Sequence, residues 1–200
     1  STALAIQIAK ETGARIHLMH LSTYQEVAML KDLMYGNVKT RQISGEACIP
    51  HLYFSESFYA QKGPFLKCNP AVKTEKDRLA LVQALESGVI TTVGTDHAPH
   101  ELSAKGNQYF KCASGLPSVQ FSLLALLDLW KRKEITLETI AKVTSTNVAE
   151  RFRIKNSGRI EEGYAADLAI VNPTQRTLVT KDLIASSCKW SPFENHSFSS

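Results

Sequence analysis

The sequence predicts an α/β fold in which parallel strands alternate with helices. Helical and strand-like hydrophobic patterns alternate along residues 1–96, and the strand at 14–21 is partly apolar on both faces, as parallel strands covered by helices are. The pattern changes near residue 155. We therefore place a boundary there, with one domain over 1–155 and the beginning of a smaller β domain over 156–200.

The first two predicted elements are a helix over 3–12 and a strand over 14–21. Gly13 between them is a suitable helix C-cap. Successive residues of a strand point to opposite faces, so we expect His17 to point toward the helices. The face that we expect to point inward carries Ile16, Leu18 and His20.

A second helix and strand follow, and then a long irregular segment. Ser22 or Thr23 can cap the helix, which we expect to end at Gly36, and the strand is predicted over 38–46. Residues 51–71 have little periodicity and predict a long loop with at most a short helical turn. Long loops in compact domains are usually functional.

The third helix and strand are better marked. Thr74 and Asp77 resemble a capping box at the start of a helix that runs to Glu86. A strand over 90–96 follows. The small residues Thr92 and Gly94 precede Asp96 on its inward face, which we expect to leave room at the strand end.

The last predicted elements are two helices and two short strands. An amphipathic pattern covers 117–132, and Thr136 caps a helix that continues to Ala149. Residues 157–160 and 166–171 are predicted to form short strands.

Composition excludes several classes of protein. The net charge of +4, from 23 Lys and Arg against 19 Asp and Glu, is too small and too evenly spread for a nucleic-acid-binding surface. No apolar run reaches the roughly 18–20 residues of a membrane span. Four cysteines without a CxxC pair fit neither a disulfide framework nor a zinc finger, so we expect a reduced, cytoplasmic protein.

Two predicted strands end in side chains that can bind metal, His20 and Asp96. In a parallel α/β barrel, functional groups stand at the carboxyl ends of the strands. An imidazole and a carboxylate suit zinc, which makes a bound water nucleophilic near neutral pH. From the residues alone, structural roles stay open: a hydrogen-bonded His, and an Asp that forms an Asx turn or caps a helix.

The segment from Gly94 to His100, which reads GTDHAPH, favours chemistry at Asp96. With Lys105 five residues beyond His100, it resembles the dihydroorotase signature [GA]-[ST]-D-x-A-P-H-x4-K at every position. Hydantoinases and allantoinases share the Asp but usually lack the Ala-Pro-His. The other segments that resemble this family, in the same order, are 17–23, 46–52, 67–74, 114–117, 147–168 and 190–193.

The resemblance covers nearly the whole chain and implies its architecture. Residues 1–155 would be the C-terminal half of a TIM-type (β/α)8 metal-dependent hydrolase barrel, and 156–200 the start of a small β-sandwich domain. The family's active site holds zinc, usually two ions. Most of the ligands would lie upstream of Ser1, since only His20 and Asp96 match them here.

The resemblance also implies roles for individual residues. Asp96 would bind one metal, accept a proton from the attacking water and deliver it to the leaving nitrogen, while His20 would ligate the second metal. The substrate-binding residues would be Asn69, His100, Ser114 and Gly115. We give Lys105 no chemical role and expect it to be a solvated loop residue.

Some positions depart from the family pattern. Pro50 replaces the first His of a His-His pair, so the role of His51 stays open, and we expect Cys48 to act as a small buried hydrophobic residue. The predicted activity is the reversible conversion of N-carbamoyl-L-aspartate to L-dihydroorotate by a homo-oligomer that binds neither nucleic acid nor membranes. The alternatives are a non-catalytic scaffold subunit and a hydantoinase or dihydropyrimidinase-type cyclic amidase. We expect residues 1–200 alone to be inactive.

Overall fold

A computed structural model describes residues 1–35, 42–106 and 108–199, and it has the predicted α/β architecture. Its strands are β1 (Ile16–Leu21), β2 (Ile43–Cys48), β3 (Thr92–Gly94), β4 (Thr177–Leu178) and β5 (Ser197–Phe198). Its helices are α1 (Thr2–Thr12), α2 (Tyr24–Tyr35), α3 (Ile49–Tyr53), α4 (Tyr59–Lys62), α5 (Glu75–Glu86), α6 (Leu102–Lys105), α7 (Ser122–Lys131), α8 (Leu137–Ala141) and α9 (Asn147–Phe152). A π-helical turn, Lys142–Thr146, joins α8 to α9. No helix in these ranges is both long and apolar enough to cross a membrane.

The main sheet has three parallel strands in the order β1-β2-β3. His17 pairs with Ser44, and Glu46 pairs with Thr92, so their side chains share one face of the sheet. The opposite face packs against α2, because a Cβ built on Gly45 would lie 2.6 Å from Cδ1 of Leu30 in that helix. The helix that follows β1 therefore covers the sheet, as in other parallel α/β folds.

The hydrophobic core lies between the sheet and the surrounding helices. Its most completely buried members include Leu21, Leu52, Leu81, Ile90 and Phe121. Each such side chain stabilises the fold by roughly 1.5–3 kcal/mol relative to its exposed state. The core therefore fixes how the strand ends stand relative to one another.

The segment predicted as a loop over 51–71 is largely helical, which corrects that prediction. It contains part of α3, all of α4, and two 3-10 turns, Glu56–Phe58 and Gly63–Leu66. Every residue of α3 is buried. A helix that is covered on all sides carries no polar stripe, so α3 shows no 3.6-residue periodicity, and α4 and the 3-10 turns are only three or four residues long, about one turn each.

The second strand begins at Ile43 rather than at 38, and the earlier positions of that prediction, 38–41, lie outside the described residues. The same is true of Gly36, the predicted end of the second helix.

The strands predicted at 157–160 and 166–171 are absent from the structure. Ile160 and Ile170 are 91% and 100% exposed. A strand needs a neighbouring backbone for its hydrogen bonds, and nothing in the described part of the chain pairs with this segment.

The last residues pack into the core instead of forming a separate layer. Strands β4 and β5 pair antiparallel, and Val179, Phe193 and Phe198 are at most 1% exposed. The ring of Phe193 lies 5.1 Å from that of Tyr53 in α3. The domain division at about residue 155 stays a prediction, but these residues contact the same core as the first 155.

Candidate active site

The two predicted metal ligands stand at the carboxyl ends of β1 and β3 in an uncommon backbone conformation. His20 has φ 42° and Asp96 has φ 47°, both in the left-handed region. Residues other than glycine seldom adopt this region, and when they do they often lie at functional sites. Five other non-glycine residues of the described chain also have positive φ, but among these seven only His20 and Asp96 stand at the ends of parallel strands.

The side chain of His20 does not reach its position by simple alternation along β1. The register between β1 and β2 shifts between Leu18 and Leu21, which is a bulge. Leu18 pairs with Gly45 and so lies on the face that packs against α2. The expectation that Ile16 and Leu18 point inward is therefore wrong. Because the bulge lies between Leu18 and Leu21, the side chain of His20 does not follow the alternation of Ile16 and Leu18.

His17 lies on the face opposite α2, which corrects the expectation that it points toward the helices. Its Nδ1 is 2.7 Å from Ser44 Oγ, and its Nε2 is 3.3 Å from Thr92 Oγ1 and 3.7 Å from Glu46 Oε2. These contacts join the three strands across their inner face. They give His17 a structural role there.

The room that we expected at Gly94 is filled. A Cβ at that position would collide with the carboxylate of Glu46, which is buried. The glycine therefore makes space for this carboxylate rather than for a ligand.

His51 is a buried member of a cluster at the strand ends that also contains His20, Cys48 and Asp96. It is 3% exposed, and burial lowers its pKa. The charge of His20 lowers this pKa further, while that of Asp96 raises it. Its Nε2 donates to the carbonyl oxygen of Pro70 at 2.8 Å. His51 therefore links α3 to the turn that carries Asn69, while its buried Nδ1 has no hydrogen-bond partner.

The thiol of Cys48 also belongs to this cluster. It is 1% exposed, and burial raises its pKa well above the ordinary value, with Glu46 and Asp96 adding to the effect. Its Sγ donates to Glu46 Oε1 at 3.7 Å, and the prediction that Cys48 acts as a small buried hydrophobic residue is compatible with this burial.

The signature segment folds directly against the loop at 114–119. Ala98 N donates to the carbonyl of Leu116 at 2.9 Å, and His100 Nε2 donates to the carbonyl of Ser114 at 2.9 Å. Gly115 has φ 146°, and a Cβ there would lie 2.6 Å from that of Ala98. The structure thus brings His100, Ser114 and Gly115 into direct contact.

Asn69 belongs to the neighbouring turn. Two residues before it, the carbonyl of Lys67 accepts a hydrogen bond from Gly115 N at 3.0 Å. Asn69 and Ser114 are both exposed, so both are accessible to a small molecule.

Lys105 contradicts the expectation of a solvated lysine. It is 0% exposed, and its ammonium group donates to three backbone carbonyls. The sequence contained one signal for this burial: the motif places the lysine at a fixed distance after Asp96. A lysine on a solvated loop would not need a fixed position relative to a strand end.

The donor set at the strand ends fits part of a zinc site. An imidazole and a carboxylate are zinc ligands, and His20 is partly exposed and Asp96 exposed. Within the described residues, no three His, Cys, Asp or Glu side chains are arranged to hold a metal ion. Catalytic zinc takes about three protein ligands, so each of these two residues could supply one ligand of a zinc ion, and the other ligands would have to come from elsewhere.

Comparisons with known proteins identify a family and several relatives. The family model described as "Amidohydrolase family" matches residues 3–192. The chain is 32% identical over 194 residues to a dihydroorotase of Methanosphaera stadtmanae, covering 97% of this chain and 44% of the relative. It is 34% identical over 195 residues to an allantoinase of Bacillus velezensis, covering 97% and 42%.

Among solved structures, the L-hydantoinase (dihydropyrimidinase) from Arthrobacter aurescens superposes with a TM-score of 0.92 at 25% identity. The match covers 99% of this chain and 44% of the hydantoinase. The chain therefore spans less than half the length of the relatives that it matches.

Proposed function

Since the chain belongs to the amidohydrolase family, we propose that it forms the C-terminal half of the barrel of a zinc-dependent dihydroorotase. Such an enzyme interconverts N-carbamoyl-L-aspartate and L-dihydroorotate in pyrimidine biosynthesis. The chain spans under half of its relatives, so the proposal concerns the activity of the whole protein. We further propose that this protein is cytoplasmic and homo-oligomeric.

One observation carries the proposal. The segment from Asp96 to His100 leaves the end of β3 and pairs with 114–119, so a proton acceptor and a set of polar groups face the same end of the sheet. A cyclic amide hydrolase needs both at once, an acid–base group at the scissile bond and groups that orient the ring.

His20 and Asp96 are the residues of this chain that would hold metal. Zinc, when bound, would polarise the amide carbonyl and lower the pKa of the attacking water. The remaining ligands would come from residues outside this chain.

Asp96 is suited to move the proton. In hydrolysis it would take a proton from the attacking water and deliver it to the ring nitrogen as the carbon–nitrogen bond breaks. Its left-handed backbone places the carboxylate beyond the strand end, where it is exposed to substrate. In cyclisation the same carboxylate would carry the proton in the opposite direction.

His100, Asn69, Ser114 and Gly115 would bind the substrate. In the present arrangement the Nε2 proton of His100 is used by the carbonyl of Ser114. His100 could therefore bind the substrate carboxylate through Nδ1 only as an imidazolium, or after its ring turns. The backbone groups of Ser114 and Gly115 would contact the ring.

A cyclic amidase of the hydantoinase or dihydropyrimidinase type is the second candidate. The TM-score of 0.92 to the hydantoinase favours it. The Ala98-Pro99-His100 sequence favours dihydroorotase, because His100 offers a partner for a substrate carboxylate that hydantoin and dihydrouracil lack. A non-catalytic scaffold subunit is the third candidate, and the presence of both His20 and Asp96 counts against it.

A substrate panel tests the proposal. The full-length protein that carries this chain, loaded with zinc, would be assayed with N-carbamoyl-L-aspartate, L-dihydroorotate, hydantoin, dihydrouracil and allantoin. We expect kcat/KM to be highest for the first two substrates by at least about a hundredfold. A preference for hydantoin, dihydrouracil or allantoin would refute the dihydroorotase assignment, and no turnover of any of them would favour the scaffold.

A further inference from the structure

The ammonium group of Lys105 is enclosed by backbone carbonyls. Its Nζ donates to the carbonyl oxygens of Lys67 at 3.0 Å, Ala113 at 2.9 Å and Gly115 at 3.1 Å. A lysine ammonium has three protons, so these acceptors use its whole donor capacity. The ring of Trp190 lies over it, 5.4 Å from Nζ to the ring centroid.

This lysine is buried without an opposite charge. The described residues form no salt bridge with it, and burial lowers its pKa. Burying an ammonium is expensive unless other groups replace its water shell. The three carbonyls and the indole ring do so here, which makes the arrangement specific to a group with three donors.

The three carbonyls lie around the proposed substrate-binding residues. Ala113 and Gly115 flank Ser114, and their carbonyls both point to the ammonium. The third carbonyl, of Lys67, lies two residues before Asn69 and also accepts from Gly115 N. One buried ammonium therefore joins the turn of Asn69 to the loop of Ser114.

A second lysine holds the outer part of the same loop. Lys67 Nζ donates to the carbonyls of Tyr109 and Cys112, each at 2.8 Å. The loop is therefore fixed at both ends of 109–115, by Lys67 on the outer side and by Lys105 on the inner side.

We propose that Lys105 is a positioning residue that fixes Asn69, Ser114 and Gly115 relative to one another for substrate binding, without touching the substrate. The inference rests on the proposed function for the identity of the substrate. Replacing the ammonium by an apolar group leaves the carbonyls of Ala113 and Gly115 without this partner and that of Lys67 with Gly115 N alone, so the loop must move to satisfy them.

The test compares Lys105→Met with Lys111→Met in the full-length protein. Lys111 is an exposed lysine of the same loop, so its variant controls for loss of one charge. We expect Lys105→Met to retain its metal and to raise KM for N-carbamoyl-L-aspartate at least about tenfold, with a smaller fall in kcat. Hydrogen exchange in a peptide that spans Gly115 should be at least about tenfold faster. Lys111→Met should stay within about twofold of wild type.

An unchanged KM together with unchanged exchange at Gly115 would overturn the inference. A lower melting temperature with an unchanged KM would also overturn it, because that result indicates a purely structural role. If the wild-type protein turns over neither proposed substrate, the proposed function fails, while the exchange result still decides whether Lys105 holds the loop.

A measurement on the wild-type protein covers the case in which Lys105→Met does not fold. Brief acetylation under native conditions should modify Lys105 at least about a hundredfold more slowly than Lys111. Equal rates would show that the ammonium is accessible and would overturn the inference.

Discussion

At the scale of single residues, His20 and Asp96 combine a left-handed backbone with a position at the end of a parallel strand. Each left-handed residue of this kind costs of order 1–3 kcal/mol and persists only where the surrounding structure imposes it. The left-handed conformation of His20 accompanies the bulge in β1, and that of Asp96 accompanies the exit of the chain from β3 toward Leu116. The cost is consistent with side chains that must stand beyond the strand ends.

We expect Asp96→Asn to reduce kcat by about 10²–10⁴-fold in the full-length protein, because the amide keeps the size of the side chain but cannot accept a proton. Steady-state assays in both reaction directions measure this, with circular dichroism as the control for folding. More than about a tenth of the wild-type rate in a folded variant would contradict the general-base role.

Gly115→Ala should disturb substrate binding. The new Cβ would lie 2.6 Å from Ala98 Cβ and 2.9 Å from Ala98 O, at a φ of 146°. We expect KM to rise at least about tenfold, since the loop must move away from the signature segment. Gly106→Ala is the control, because φ there is −72°, and it should leave KM unchanged. Equal effects of the two substitutions would contradict the steric argument.

At the scale of elements, the start of α5 is the clearest case of a local sequence pattern that forms as written. Thr74 Oγ1 accepts from Asp77 N, and the Asp77 carboxylate accepts from Thr74 N and from Tyr24 N. The same carboxylate that caps α5 thus also holds the first residue of α2. Burial opposes the charge on Asp77, but the hydrogen bonds from Thr74 and Tyr24 outweigh it and lower its pKa.

Thr74→Ala should destabilise the protein by about 1 kcal/mol, because the hydroxyl group loses both the cap hydrogen bond from Asp77 N and its own bond to the Asp77 carboxylate. The matched control is Thr180→Ala, since Thr180 stands at an N-cap position but makes no side-chain cap bond. Thermal unfolding of both variants measures the difference. A loss of stability at Thr180 as large as that at Thr74 would contradict the assignment.

At the scale of the whole molecule, a buried polar network ties the end of the chain to the core. Asp128 in α7 accepts from Tyr53 of α3 at 2.5 Å, from Arg132 at 2.6 Å and from Ser199 at 2.6 Å. His196 Nε2 lies 2.8 Å from the hydroxyl of Tyr53. Two helices and the residues around β5 therefore share one carboxylate.

Asp128→Asn should lower the free energy of unfolding by about 1–3 kcal/mol at pH 7, because charged hydrogen bonds are lost in a buried site. Burial opposes the charge, but Ser199, Tyr53 and Arg132 lower the pKa of Asp128 below the ordinary 3.8. The contribution is therefore present above pH 3.8 and is lost as the pH falls through the folded-state pKa. Melting temperatures between pH 7 and 3 should converge for the wild type and the variant. Asp182→Asn, at an exposed carboxylate, should show no such dependence.

The three-stranded sheet also bears on what residues 1–200 can do alone. Among the described residues, β1 and β3 are each paired on one side only, and unpaired edges promote aggregation. We expect this segment neither to turn over L-dihydroorotate nor to hold two zinc ions tightly. Elemental analysis and assays of the expressed segment check this. Turnover within about a hundredfold of a full-length homologue would contradict it.

The sequence by itself determined the features that depend on neighbouring residues. The alternation of the first two helices and strands, the helix and strand that follow residue 74, and the capping box at Thr74 follow from local spacing, and all are present in the structure. Helix caps and strand alternation involve residues close in the chain, so their signals can be read from it directly. The family resemblance likewise rests on residue types at fixed spacing.

Only the tertiary structure decided the direction of His17, the helix α3, the burial of Lys105 and the lack of strands at 157–171. The bulge in β1 depends on pairing with β2, and α3 is hidden from pattern analysis because neighbours cover all its faces. Lys105 is buried by carbonyls up to 38 residues away, and the segment at 157–171 meets no strand partner among the described residues. Each outcome depends on contacts between distant residues, which no local pattern encodes.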